Sequence, residues 1–190
     1  MLNKTIDMDF TFKFGEMTHY ERELLYGYVL RYDPDIILEC GSGVGASTKV
    51  MVEALRSYAQ IYSCDPKRRP KFTSNKLKFY PVKSDVLIDM LLEAGLYPDF
   101  IFFDGPEDPE VALNDFIKLD KHADIGTVFS MHDWCTEIRL YDGNVSVKAL
   151  LIKHYINSLS TWALLEETDG LAYEQGKESV GLCLYEKISL

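Results

Sequence analysis

IILECGSGVGAST, Ile36 to Thr48, joins a short apolar run to an acid, three glycines at alternate positions and three hydroxyl residues. Ile36-Ile37-Leu38 reads as a short buried strand. Lys49 to Tyr58, with Val50, Met51, Ala54, Leu55 and Tyr58 on one side, reads as a helix. Gly41, Gly43 and Gly45 therefore fall in a strand-to-helix turn, where the lack of a Cβ lets the backbone turn sharply and lie close to a ligand. The helix start beyond the turn offers unpaired N–H groups and the positive end of the helix dipole, which suit a carboxylate or a phosphate. Read as Gly41-x-Gly43-x-x-Ala46, the loop satisfies the fingerprint of NAD-binding folds, with Asp65 close to the spacing expected of a ribose contact.

Read instead as Glu39-x-Gly41-x-Gly43-x-Gly45, the same loop resembles the first motif of class I methyltransferases that use S-adenosylmethionine. In that group too an acid ends the second strand. The loop alone leaves both ligands open.

Composition narrows the choice. A chain of 190 residues fits one domain, 1–190, and is too short for a nucleotide domain plus a full substrate domain, which counts against a two-domain dehydrogenase. Within it, residues 1–34 read as an N-terminal helical extension and 35–190 as the core. MLNKTIDMDF lacks the apolar run of a signal peptide, and no later stretch approaches the roughly 18 apolar residues of a membrane span. Cys40, Cys64, Cys135 and Cys183 are far apart, which fits a reduced, cytoplasmic protein better than a disulfide framework or a zinc site. The net charge of −10 argues against a nucleic-acid partner, whose phosphates call for many Lys and Arg contacts. Lys67 to Lys78, KRRPKFTSNKLK, is a local exception without acids, readable as a solvated loop or as a contact for an anionic substrate.

Along the chain, strands and helices alternate. A second strand, Ile61 to Cys64, ends at Asp65, and a third runs from Leu77 to Val82. A helix from Val86 to Ala94 leads to the strand Phe100 to Phe103, and a helix carrying Ala112, Phe116 and Leu119 leads to a fifth strand, Thr127 to Met131. A helix from Val147 to Ile156 follows. Such alternation means a parallel sheet with helices on both faces. Trp162–Glu166 and Val180–Glu186 then read as two strands joined by a polar loop that Asp169-Gly170 opens, an antiparallel hairpin. At the N-terminus Phe10, Phe12 and Phe14 alternate, and a helix with Tyr20, Leu24, Leu25, Tyr28 and Val29 follows, to pack on the sheet edge, form a lid or make a dimer contact in a homo-oligomer. Five alternating units closed by a hairpin resemble the Rossmann-like, seven-stranded, mostly parallel sheet of class I methyltransferases, whose last strand is antiparallel.

Open parallel sheets bind ligands beyond the carboxyl ends of their strands. Those ends carry Glu39 with the glycines, Asp65, Ser84-Asp85, Asp104-Gly105 and His132-Asp133. Strand ends also meet solvent and Asp caps helices, which accounts for Asp85 as well as a ligand does. It accounts less well for Asp104 and Asp133, each directly after an apolar strand and before irregular backbone. From Pro98 to Trp134 the sequence resembles the type-24 methyltransferase family: an apolar strand ending in Asp104-Gly105, a helix with internal Asp115, then a Gly126-led strand ending in His132-Asp133. Glu107 stands where members often carry His and Pro109 where an aromatic is common, so no general base is assigned there by analogy.

The resemblance implies a role for each site residue. Asp65 accepts from the ribose diol, Gly41, Gly43 and Gly45 admit the methionine part, and Asp85 faces the adenine. Glu39 either meets the methionine ammonium or orders the loop. Asp104 and Asp133 are similar to the carboxylates that hold Mg²⁺ in metal-dependent O-methyltransferases, with His132 as a third ligand or the general base; a metal-free site with His132 as base or as a structural residue stays open. The expected activity is methyl transfer to an oxygen of a small molecule such as a sugar or a polyhydroxylated natural product. One alternative is an NAD-dependent oxidoreductase, which needs a Tyr-x-x-x-Lys pair that Tyr58 and Tyr62 do not supply. Another is a catalytically silent cofactor-binding partner subunit. Asp104-Gly105-Pro106-Glu107 is not the Asn/Asp-Pro-Pro-Tyr segment of nucleic-acid base methyltransferases.

Overall fold

The computed structural model describes residues 17–134, 139–141, 144–168, 173–174, 177–178 and 181–190. Phe10, Phe12, Phe14 and the Asp169-Gly170 turn lie outside these residues. The elements are α1 His19–Tyr32, β1 Ile36–Cys40, α2 Ala46–Ala54, β2 Gln60–Cys64, β3 Leu77–Tyr80, α3 Ser84–Glu93, β4 Phe100–Phe103, α4 Pro109–Asp120, β5 Val128–His132, β6 Arg139–Tyr141, β7 Asn144–Ser146, α5 Lys148–Ser158, β8 Trp162–Glu167, β9 Tyr173–Glu174, β10 Lys177–Glu178 and β11 Leu182–Lys187. Seven strands form one sheet in the order β3-β2-β1-β4-β5-β11-β8. The first five are parallel, and β11 enters antiparallel between β5 and β8. This is the Rossmann-like sheet that the alternation and the closing pair of strands predict.

The apolar runs are continuous because both faces of the sheet are covered. Successive residues of β4 serve opposite cores: Phe100 and Phe102 pack with Leu25 and Val29 of α1 and Met51 of α2, while Ile101 and Phe103 pack with Leu87 of α3, Phe116 of α4 and Ile152 of α5. All four are buried. Replacing such a Phe by Ala costs roughly 3–5 kcal/mol, so β4 is a major anchor of the fold.

Several boundaries differ from the sequence expectation. Helix α2 starts at Ala46, directly after Gly45, and ends at Ala54. Tyr58 is therefore outside it and 68% exposed, with the Arg56 guanidinium 4.6 Å from its ring centroid. Strand β3 stops at Tyr80 because Pro81 has no N–H to continue the ladder. Two short ribbons, β6–β7 and β9–β10, were not foreseen. Tyr173 and Lys177 have the Tyr-x-x-x-Lys spacing of an oxidoreductase, but they fall on the two facing strands of β9–β10, not one turn apart on a helix. The antiparallel β11 and this placement disfavour the oxidoreductase alternative.

Candidate functional site

The strand order reverses between β1 and β4, and a crevice opens beyond the carboxyl ends of that pair. Gly41 crosses closest to its neighbour there. At φ +89° its backbone leaves room for no Cβ, which would sit 2.7 Å from the backbone of Asp104 and Gly105. Gly45, at φ +96°, is closed in the same way by Pro70 and Phe72. Contacts within the protein thus already exclude a side chain at these two glycines. Gly43 is the exception: nothing lies within 4 Å of the Cβ position, and its N–H donates to Asp65 Oδ2 at 3.0 Å.

Glu39 is fully buried at the end of β1. Its carboxylate accepts from Ser47 Oγ at 2.6 Å, from Thr48 Oγ1 at 2.7 Å and from Ser63 Oγ. Ser47 and Thr48 belong to the first turn of α2, so these bonds tie the end of β1 to the helix beyond the glycine loop. Burial pushes its pKa up to about 7, against the three hydroxyl donors.

A cavity of about 420 Å³ is lined by Gly41, Asp65, Lys83, Ser84, Asp104 and Glu107, among others. Asp65 holds its own loop, with Oδ1 accepting from the Lys67 and Arg68 N–H groups at 2.8 Å each. Asp85 sits in the first turn of α3, where its Oδ1 accepts from Val86 N at 2.9 Å, and its neighbours Lys83 and Ser84 line the cavity instead. Ser84 Oγ donates to buried Asp115 Oδ2 at 2.6 Å, which ties α3 to α4. Burial raises the Asp115 carboxyl to about 6.

Asp104, which lines this cavity, comes together with His132 and Asp133, with one ligand atom from each within 4.8 Å of the others. His132 Nδ1 is 3.5 Å from both Asp104 Oδ1 and Asp133 Oδ1. The Asp104 side chain is 30% exposed, whereas those of His132 and Asp133 are 2% and 1% exposed. Asp133 has φ +64°, a left-handed conformation that turns the chain out of β5. Burial disfavours the charged imidazole, yet Asp104, Glu21 and Asp133 outweigh it and raise its pKa to about 10.

Two members of this cluster escaped the sequence reading. Lys148, the first residue of α5, is buried with Nζ 3.2 Å from Asp133 Oδ2 and 3.2 Å from Glu107 Oε1. Its pKa is raised, since Asp104, Asp133 and Glu107 outweigh burial. Glu21 of α1 is buried, and its Oε2 lies 3.6 Å from His132 Nε2. Thr18-x-x-Glu21 is legible as a helix start, but nothing local distinguishes Lys148 from a surface lysine.

The comparisons agree with this architecture. Residues 38–134, just over half of the chain, match a family described as a methyltransferase domain. No curated protein matches the sequence. Among solved structures, the O-methyltransferase TomG from Streptomyces achromogenes, involved in tomaymycin synthesis and in complex with S-adenosylmethionine, is 12% identical with a TM-score of 0.68, over 91% of this chain and 82% of that one. An O-methyltransferase from Bacillus cereus, in complex with S-adenosylhomocysteine, is 16% identical with a TM-score of 0.66, over 90% and 82%. A putative rRNA-methylase from Clostridium thermocellum is 12% identical with a TM-score of 0.64, over 87% and 96%. At these identities the likeness shows the fold. The family match spans the glycine loop, Asp65, Asp104 and the His132-Asp133 pair, and on that ground the chain belongs to the type-24 family of methyltransferase domains.

Proposed function

We propose that this methyltransferase moves a methyl group from S-adenosylmethionine to a hydroxyl oxygen of a small molecule, of the sugar or polyhydroxylated natural-product kind, with a divalent cation such as Mg²⁺ held by Asp104, Asp133 and His132. The observation that carries the reading is the clustering of His132 and Asp133 with Asp104, which lines the same cavity as Asp65. The solved O-methyltransferases of similar fold, bound to S-adenosylmethionine or S-adenosylhomocysteine, support the cofactor. The net charge of −10 supports a small acceptor over a nucleic acid.

The residues present fit the cofactor. About 420 Å³ is within the range of pockets for ligands of this size. A carboxylate offers about four lone-pair sites, and Asp65 uses three on backbone N–H groups, which leaves one free for the ribose diol. The open side of Gly43 leaves room for the methionine part. When bound, S-adenosylmethionine supplies an electrophilic methyl on sulfur.

They also fit a cation. Two carboxylates and an imidazole suit Mg²⁺ or Mn²⁺, and Lys148 engages Asp133 Oδ2 while Oδ1 faces His132. When bound, the cation acidifies an acceptor hydroxyl. The alternative, His132 as general base without metal, fits less well. Asp104 and Asp133 face Nδ1 and Glu21 faces Nε2, so neither ring nitrogen is turned to an acceptor hydroxyl.

Turnover, followed by mass spectrometry on a panel of sugars and polyols, should stop in excess chelator and return with Mg²⁺. S-adenosylhomocysteine should bind throughout, and Asp133→Asn should behave like chelation. Full activity in chelator would overturn the metal, and binding of NAD in place of S-adenosylhomocysteine would overturn the cofactor.

A further inference from the structure

We infer that Glu21, on a helix outside the family-matched segment, is a positioning residue for His132: it fixes the ring so that Nδ1 faces Asp104 and Asp133. Glu21 is the third residue of α1 and closes a capping box with Thr18, its Oε2 accepting from Thr18 N at 2.8 Å and Thr18 Oγ1 at 3.0 Å. Capping alone requires no burial, because a carboxylate at a helix start does the same work in water. Here the residue is fully buried, where an unpaired carboxylate costs several kcal/mol. Among the described residues, contacts beyond the helix offset that cost. Oε1 accepts from Gly181 N at 3.1 Å, next to the strand that borders β5. Oε2 stands 3.6 Å from His132 Nε2, an ion-pair distance too long for a hydrogen bond.

The two ring nitrogens thus have different tasks. Nε2 faces an acid brought by α1, and Nδ1 faces the two acids at the ends of β4 and β5. A ring turned over about its Cβ–Cγ bond would lose both sets at once. A histidine that ligates a metal through one nitrogen characteristically directs the other at a carboxylate, which sets its tautomer and orientation. Glu21 supplies that carboxylate. The metal half of this inference rests on the proposed function; the orientation of the ring does not.

The test compares the full chain with Glu21→Gln, Glu21→Ala and Thr18→Val. Thr18→Val removes the capping hydroxyl and leaves Glu21 opposite His132, so it reports the structural role alone. Mn²⁺ affinity, read by electron paramagnetic resonance, should fall about tenfold or more in Glu21→Gln and stay at the parent value in Thr18→Val, with S-adenosylhomocysteine affinity unchanged in both. Crystal structures without metal should show the His132 ring displaced from Asp104 and Asp133 in Glu21→Ala, or in Glu21→Gln if the alanine variant does not fold, and in place in Thr18→Val. A ring that keeps its orientation in the Glu21 variants overturns the inference whatever the metal result. A parent protein that binds no Mn²⁺ overturns the metal reading, and the crystal structures then decide the role of Glu21.

Discussion

Glu39 illustrates how a single buried acid can record pH. Its folded pKa of about 7 lies above the ordinary carboxyl value of 4.5, so its protonated form favours the fold. That contribution is complete below pH 4.5 and is lost as pH rises through 7, a change of about 3 kcal/mol. Urea unfolding of the parent and of Glu39→Gln, which cannot ionise, should therefore diverge between pH 4.5 and 7, with only the parent losing this component. Superimposable pH profiles would show that Glu39 is ionised in the folded protein throughout. A second residue-scale prediction concerns Asp65. Asp65→Ala removes the acceptor for the ribose and three bonds to the loop, and charge-assisted hydrogen bonds contribute roughly 1.5–3 kcal/mol each. Affinity for S-adenosylhomocysteine by calorimetry should drop at least tenfold while the circular dichroism stays native; unchanged affinity would remove Asp65 from the ribose.

Among the elements, the β1-to-α2 turn separates two jobs that its sequence merges. Gly41→Ala drives a Cβ into the Asp104 carbonyl, so it should unfold the rim or destabilise the protein by several kcal/mol. Gly43→Ala meets no neighbour and should cost only about 1–2 kcal/mol for its left-handed backbone, yet weaken S-adenosylhomocysteine binding. Thermal melts with calorimetry check both; equal melting temperatures for the two variants would mean that the β1–β4 contact does not constrain the loop. The sequence made the turn legible because its signals are local: an apolar run, glycines, a helical period. It did not show which glycine meets protein and which meets space, since Asp104 and Pro70 approach from elsewhere in the chain. For the same reason Lys148 was invisible, its partners Glu107 and Asp133 being distant in sequence.

At the scale of the molecule, alternation of strand and helix was enough to foresee a parallel sheet with helices on both faces, though not the order of its strands. The rim followed from the parallel sheet, whose strands all end on one side, and the pairing of β4 with β5 makes Asp104, His132 and Asp133 neighbours on it. Glu21 did not, since a capping box looks the same whether it faces solvent or an active site. The position of β11 has a consequence of a different kind. This strand fills the gap between β5 and β8, and its Leu182 pairs with His132 itself. During synthesis from the N-terminus, His132 and Asp133 at the end of β5 have been made some fifty residues before the strand that braces them, and α1 waits equally for Gly181 to meet Glu21. The nascent chain therefore holds the glycine loop long before the acidic cluster around His132 is braced, and β11 is the strand that completes it.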